Sequence, residues 1–120
     1  MARFAETIAA HAATRPTHPA VRFEEDELDY RRLETLVAAE AGRLRARGVE
    51  PGDRVAVLIG NEPAFLVVLL GCARLGAVFV PLNTRLTAAE IGYQVAHCAP
   101  VRAVASADLR PVLTLSLIHI

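Results

Sequence analysis

Few residues in this sequence have the types and the spacing that chemistry requires. His97 and Cys98 are potential metal ligands or a Cys/His pair, but neighbouring helix residues point about 100° apart and need remote partners to converge. The acids at positions 24–27 lack the alternating spacing of an EF-hand loop, and a solvated turn explains them better. Arg85 follows a predicted buried strand, where open α/β sheets bind their ligands. It is our one candidate for ligand contact, and the alternative is a solvent-exposed loop arginine.

Sequence motifs for catalysis and phosphate binding are absent. The chain contains no GxGxxG or GxxxxGK[ST] loop, no HExxH, no CxxC pair and no GxSxG elbow. All 13 basic residues are arginines, so no step that needs a lysine amine can be performed by this chain. We therefore assign no catalytic residue and no metal ligand within it.

Composition limits the partners of the chain. Its 120 residues, 53% hydrophobic and 22% charged, suit one globular domain. The 13 basic and 13 acidic side chains cancel, so we expect no binding to nucleic acid or to an anionic membrane surface. The apolar stretch 63–83 is interrupted by Gly71, Arg74, Gly76 and Pro81, and we expect no transmembrane segment.

The cysteines and the N-terminus indicate a cytoplasmic protein. Cys72 and Cys98 lie in apolar surroundings without CxxC spacing, which favours two buried thiols in a reducing compartment over a disulfide. Glu6 stands where a secretory signal would be apolar, so we expect no export signal.

Hydrophobic periodicity predicts alternating helices and strands. The run 54–59 is apolar on both faces, which is typical of a parallel sheet. With the helix and the second buried strand that follow, it makes a βαβ unit over 54–81 within a three-layer α/β fold. In chain order we predict helix 2–14, strands 20–23 and 27–30 as a hairpin, a helix from 30 to Gly48, strand 54–59, a helix to Leu75, strand 77–81, a helix ending near 97–98, and strand 101–105.

Local signals define where the helices begin and end. Asp29 and Asn61 are the predicted N-caps of the second and third helices, and Gly76 is the predicted stop of the third. Thr87 and Glu90 have the spacing of a capping box at the start of the fourth helix.

The last six residues, 115–120, differ from the rest of the chain. They contain two of its five isoleucines and one of its two serines. Reverse translation to CTG TCT CTT ATA CAC ATC gives the end of a transposon-based sequencing adapter. We therefore expect genuine sequence over 1–114 and adapter read-through over 115–120, and we give His119 no functional weight. The alternative is a genuine apolar C-terminal strand.

Taken in order, several segments resemble the N-terminal part of the AMP-forming (adenylate-forming) synthetases, and of their acyl-CoA synthetase branch in particular. The resemblance covers about residues 4–105. The segments that carry it are 28–33 (LDYRRL), 48–56 (GVEPGDRVA), 61–63 (NEP), 74–83 (RLGAVFVPLN) and 85–91 (RLTAAEI). It implies a partial N-terminal subdomain of the large domain of such an enzyme, with a mostly parallel sheet, flanking helices and a short N-terminal hairpin.

The resemblance also implies a reaction for the parent enzyme. A carboxylic acid attacks the α-phosphate of ATP, pyrophosphate leaves, and CoA then displaces AMP from the acyl-adenylate, with Mg²⁺ neutralising the phosphates. In related ligases the turn that corresponds to Arg85 can approach the phosphates of CoA, a task that suits arginine. The family's phosphate loop, its magnesium-binding glutamate, its ribose-binding aspartate and its catalytic lysine lie beyond the segments matched here.

From this resemblance we expect an inactive N-terminal piece of an acyl-CoA synthetase that binds none of these cofactors well and self-associates through uncovered sheet edges. One alternative is a stand-alone α/β interaction or regulatory module derived from such an enzyme. A second is a small nucleotide-binding domain of another class, which the missing glycine-rich loop disfavours.

Overall fold

The part of the chain that the structure describes contains five helices and five strands. The computed structural model describes the backbone of residues 2–118 and the side chains of residues 6–115. The elements are α1 (Ala2–Thr14), β1 (Pro19–Phe23), β2 (Asp26–Asp29), α2 (Tyr30–Ala46), β3 (Arg54–Leu58), α3 (Pro63–Leu75), β4 (Val78–Pro81), α4 (Ala88–Cys98), β5 (Arg102–Ala105) and α5 (Arg110–Ile118). None of the helices in this described part is long and apolar enough to cross a membrane.

The strands form two separate sheets. β1 and β2 make an antiparallel hairpin, and the other three strands form a parallel sheet in the order β4-β3-β5. Both the predicted hairpin and the predicted parallel βαβ unit are therefore confirmed. The central strand has the most buried residues, since Val55 to Leu58 are 0% exposed.

Side chains of β3 point alternately into two apolar cores, as strand geometry requires. Val55, Val57 and Ile59 pack with side chains of α2 and α3 on one face of the sheet. Ala56 and Leu58 pack with side chains of α4 and α5 on the other face. The result is the predicted three-layer α/β architecture.

The N-terminal elements pack on the outer side of α2 and α3. A third core is formed by residues of α1, β1, α2 and α3, namely Ile8, Ala20, Val21, Leu33, Val37, Leu66, Val67 and Leu70. Because this core does not reach the parallel sheet, the hairpin covers the helical layer and leaves the sheet edges untouched.

Most predicted helix ends are confirmed by hydrogen bonds. The carboxylate of Asp29 accepts from the backbone N–H of Arg32 at 2.8 Å, which caps α2. Gly76 ends α3 in the left-handed conformation, at φ 78°. Thr87 and Glu90 form both hydrogen bonds of the capping box, at 3.0 and 3.2 Å.

Three expectations about element details were wrong. The N-cap of α3 is Glu62 rather than Asn61, and the side chain of Glu62 makes no capping hydrogen bond. The helix begins instead at Pro63, whose fixed φ suits the first turn. β4 begins at Val78 and is not fully buried: Val78 is 45% exposed because β4 pairs only with β3 in the described part. The acidic turn is shorter than predicted, since Asp26 already belongs to β2.

The sequence analysis predicted no helix or strand after residue 105, but the structure has the helix α5 there. For the described residues 115–118 the alternative of a C-terminal strand is wrong, since this stretch is helical. Residues 119 and 120, the end of the segment attributed to adapter, lie outside the described residues.

Candidate functional site

The candidate site lies at the carboxyl edge of the parallel sheet, where β3, β4 and β5 all end. Ligands of open α/β sheets bind at this edge because the loops that follow neighbouring strands meet there. The loop after β4 carries Arg85, and the loop after β5 begins at Ser106. The sheet therefore brings the predicted residue to the expected edge and adds a serine that sequence reasoning missed.

The loop that carries Arg85 has a fixed backbone. Leu82 donates its N–H to the carbonyl of Val57 at 2.8 Å, which continues the pairing of β4 with β3. The side-chain oxygen of Asn83 then accepts from the N–H of Arg85 at 2.9 Å, and the capping box of α4 follows directly. The backbone at Arg85 is thus held between a strand end and a helix start.

The side chain of Arg85 is exposed and unpaired. It makes no hydrogen bond or ion pair with any residue in the described part of the chain. Nearby, hydrogen bonds from the backbone and side chain of Thr87 hold the pKa of Glu90 below its usual value, so this carboxylate is charged and committed to the helix cap. The exposed guanidinium of Arg85 is available to contact an anion, and the carboxylate of Glu90 is bonded to the backbone of Thr87.

Ser106 is the second polar residue at this edge. Its N–H donates to the carbonyl of Leu58 at 3.2 Å, and its own carbonyl accepts from Arg110 at 2.9 Å, so it joins β5 to α5. Its hydroxyl is buried and has no hydrogen-bond partner among the residues the structure describes. An unpaired buried hydroxyl is unfavourable, because buried polar groups in folded proteins nearly always have a hydrogen-bond partner. In the sequence, the only feature that pointed to Ser106 was its position directly after the predicted strand 101–105.

Charged residues of α2 and α3 support the sheet from one side. Arg74 and Glu34 form a bidentate ion pair between the two helices, at 2.6 and 2.7 Å, and this pairing raises the pKa of Arg74. Glu40 is only 5% exposed and pairs with Arg43 at 3.0 Å. The first pair joins α3 to α2, the second lies within α2, and neither reaches the loop of Arg85.

His97 and Cys98 do not come together with other ligands. In the described range, no three His, Cys, Asp or Glu side chains form a group that could hold a metal ion. The ring of His97 stacks on Tyr93 of the same helix instead, with centroids 6.3 Å apart.

The two cysteines are expected to differ in reactivity. Both are free thiols; Cys72 is fully buried and Cys98 is half-buried. Burial, with a smaller contribution from Glu40, raises the pKa of Cys72 from 9.0 to about 11. We expect a thiol reagent to label Cys98 at pH 8 and to leave Cys72 unlabelled until the chain unfolds, because only the thiolate reacts.

The same shift predicts a pH dependence of stability. The folded thiol of Cys72 keeps its proton up to about pH 11, whereas the unfolded thiol loses it near 9.0. The unfolded state therefore binds fewer protons between these values, and the free energy of unfolding falls as pH rises through this window. Urea titrations of the chain and of Cys72→Ala at pH 8, 9 and 10 check this. An equal fall in both proteins would show that other groups cause it.

Known proteins match nearly the whole chain. A family model described as AMP-binding enzyme matches residues 8–117. Indoleacetate–CoA ligase of Aromatoleum aromaticum is 44% identical over 95 residues, which are 79% of this chain and 19% of that ligase. The chain thus spans about a fifth of the length of this relative.

Two solved structures share the fold. The benzoate CoA ligase of Burkholderia xenovorans LB400 superposes on 98% of this chain with a TM-score of 0.90 and 29% identity, and 24% of that chain is covered. The N-terminal domain of FACL13 from Mycobacterium tuberculosis matches 95% of this chain with a TM-score of 0.84 and 30% identity, and 29% of it is covered. Together with the family model over residues 8–117, they confirm the resemblance drawn from the sequence motifs: the chain belongs to the AMP-binding enzyme family.

Proposed function

We propose that this chain is the N-terminal part of an acyl-CoA ligase. That enzyme joins a carboxylic acid to CoA by way of an acyl-adenylate, and it releases pyrophosphate and then AMP. The observation that carries the proposal is the match of residues 8–117 to the AMP-binding enzyme family. It is supported by the 44% identity to a CoA ligase of which the chain spans 19%.

The cofactors of this ligase are ATP, Mg²⁺ and CoA, and its substrate is a small carboxylic acid. The 120-residue chain contains no lysine and no glycine-rich phosphate loop. We therefore expect it to be inactive alone and to bind these cofactors poorly. Its cytoplasmic location stays a prediction from the sequence.

Release of AMP by the full-length ligase tests the proposal. The ligase is incubated with ATP, Mg²⁺, CoA and a panel of aliphatic and aromatic carboxylic acids. We expect AMP to form only when both an acid and CoA are present, and no AMP from the 120-residue chain under the same conditions. A full-length protein that forms no AMP with any acid of the panel would contradict the proposal.

Within this ligase, we propose that Arg85 contacts the phosphates of CoA. Its guanidinium is exposed and unpaired within the described residues, and its backbone is fixed at the carboxyl edge of the sheet. A planar guanidinium donates two parallel hydrogen bonds to a phosphate, which makes the contact specific.

Replacing Arg85 tests this contact. In the full-length ligase we expect Arg85→Ala to raise the KM for CoA about tenfold, in line with the loss of one charge-assisted contact, while acid-dependent ATP–pyrophosphate exchange without CoA keeps its rate. Arg45→Ala, at an exposed position of α2, is the matched control. An unchanged KM for CoA would leave Arg85 as a solvent-exposed loop arginine.

A stand-alone interaction module remains the second candidate, and the association state of the chain separates the two. Both outer strands of the parallel sheet lack a neighbour on one side in the described part, so we expect the 120-residue chain to self-associate. Sedimentation velocity over a range of concentrations measures this. A monomer that unfolds cooperatively would contradict the expectation and favour the module.

A further inference from the structure

Tyr93 is the most exposed large hydrophobic side chain in the described part of the chain. Its exposed fraction is 74%, against 52% for the next. Within α4, which the structure describes completely, no other large hydrophobic residue is exposed. Ile91 and Val95 of this helix pack in the core against the sheet, so the helical spacing places Tyr93 on the opposite, outer face.

The ring of Tyr93 is held in place by His97. The two rings are nearly parallel, at 12°, with centroids 6.3 Å apart, and the residues are four positions apart on the helix. Because His97 lies one turn further along α4, it covers the side of the tyrosine ring that faces the end of the helix. The other face of the ring is turned toward the start of α4 and is open to solvent.

The surroundings of this ring suit a small planar ligand. Ala89 and Ala96, which share the outer face of α4, are exposed and small. The carboxylate of Glu90 accepts from the N–H of Thr87 at 3.0 Å and is therefore drawn to the helix cap, away from the ring. A protein partner would need a contiguous apolar patch, whereas this face offers one flat ring among small and polar side chains.

The open face of the ring is turned toward the loop that carries Arg85. Tyr93 follows the N-cap Thr87 by six residues, which is about 9 Å along the helix axis, and Arg85 precedes this cap by two residues. Side chains of a helix lean toward its N-terminus, so the ring of Tyr93 covers the turn between its own Cα and the cap. A ring for stacking and a guanidinium for phosphates thus lie toward the same end of α4, less than two turns apart.

CoA contains the two groups that this arrangement would bind. Its adenine ring and its 3′- and 5′-phosphates are joined through one ribose, so residues a short distance apart can hold both. Aromatic side chains stack on nucleobases because every base has a flat π face. We propose that Tyr93, backed by His97, stacks on the adenine ring of CoA while Arg85 contacts the phosphates. The inference rests on the proposed function, because it requires a ligase that uses CoA.

ATP carries the same ring, and its phosphates fit this chain less well. Proteins commonly cradle a triphosphate with a glycine-rich loop and a lysine, and the chain has neither. The adenine ring stacked on Tyr93 is therefore that of CoA, and the test includes the KM for ATP.

Kinetics of the full-length ligase with two thiols test the proposal. Pantetheine carries the reacting thiol of CoA without the adenine nucleotide. We expect Tyr93→Ala to raise the KM for CoA about tenfold and to leave the KM for pantetheine and for ATP unchanged. Tyr93→Phe keeps the ring and is expected to keep the KM for CoA. Gln94→Ala, at the neighbouring exposed position of α4, is the matched control.

Three results of this experiment would overturn the proposal. If Tyr93→Ala leaves the KM for CoA unchanged in a ligase that forms acyl-CoA, the adenine contact is wrong and the proposed function stands. If the KM values for CoA and pantetheine rise together, Tyr93 has a structural role. If the KM for ATP rises instead, the ring belongs to the other nucleotide.

Direct binding gives a second readout that needs no catalysis. Adenosine 3′,5′-bisphosphate carries the adenine, the ribose and two phosphates of CoA. By isothermal titration of the full-length protein we expect its Kd to be about tenfold weaker for Tyr93→Ala and unchanged for Tyr93→Phe. Equal Kd values for Tyr93→Ala and the parent protein, or no binding to the parent protein, would overturn the proposal. The expected loss of affinity in a protein that forms no acyl-CoA would support the adenine site and contradict the proposed function.

Discussion

Replacing Leu58 by alanine is expected to lower the free energy of unfolding of the 120-residue chain by about 2–5 kcal/mol. Leu58 is 0% exposed and ends the central strand, where it packs in the core formed with α4 and α5. The substitution removes its contacts and leaves a cavity that the sheet and two helices cannot close. Urea denaturation followed by circular dichroism measures the change.

The control for Leu58 is Val78→Ala. Val78 belongs to the outer strand β4 and is 45% exposed, so we expect its truncation to change the free energy of unfolding by about 0.5 kcal/mol or less. Equal losses for the two variants would show that the parallel sheet is not the core of the folded chain.

Gly71→Val is expected to destabilise the chain by about 1–3 kcal/mol through overpacking. A Cβ at position 71 would lie 3.1 Å from Cγ of Glu40 and 3.4 Å from the backbone nitrogen of Ala41. α2 and α3 approach closely here because residue 71 has no side chain. A valine must push the helices apart and disturb the buried Glu40, and urea denaturation at pH 7 measures the cost.

Gly42→Ala is the matched control for Gly71. Gly42 lies in α2 at an exposed position, and a Cβ there would meet nothing within 4 Å. We expect this variant to stabilise the chain by about 0.5–1 kcal/mol, because alanine is the better helix former. If Gly71→Val were as harmless as Gly42→Ala, the close approach of α2 and α3 would be contradicted.

The sequence was most informative where one local cause determines the structure. The apolar run 54–59 could only be buried on both faces, and β3 is the central strand of the sheet. Thr87 and Glu90 form their capping box through bonds between neighbours in sequence. The prediction of Asn61 as the N-cap of α3 was wrong, because Pro63 presets the first turn and the helix begins without a side-chain cap.

Features that depend on packing between distant residues could not be predicted. The burial of Glu40 follows from its contact with Gly71 of another helix, and the unpaired hydroxyl of Ser106 follows from how β5 joins α5. α5 was missed because its sequence has few charged residues to mark a solvent face. For the candidate site, the position of Arg85 at the sheet edge followed from the strand before it, and its ligand remains a proposal.

The central claim is that these residues form the N-terminal α/β part of a ligase whose catalytic groups lie in further sequence. The most direct measurement is to amplify and sequence the source locus from codon 105 through codon 120 and onward. We predict that the reading frame continues beyond Thr114 without the last six residues and reaches a loop rich in serine, threonine and glycine that ends in lysine. A stop codon directly after Ile120 would contradict the claim, and the chain would then be studied as a small binding or structural module.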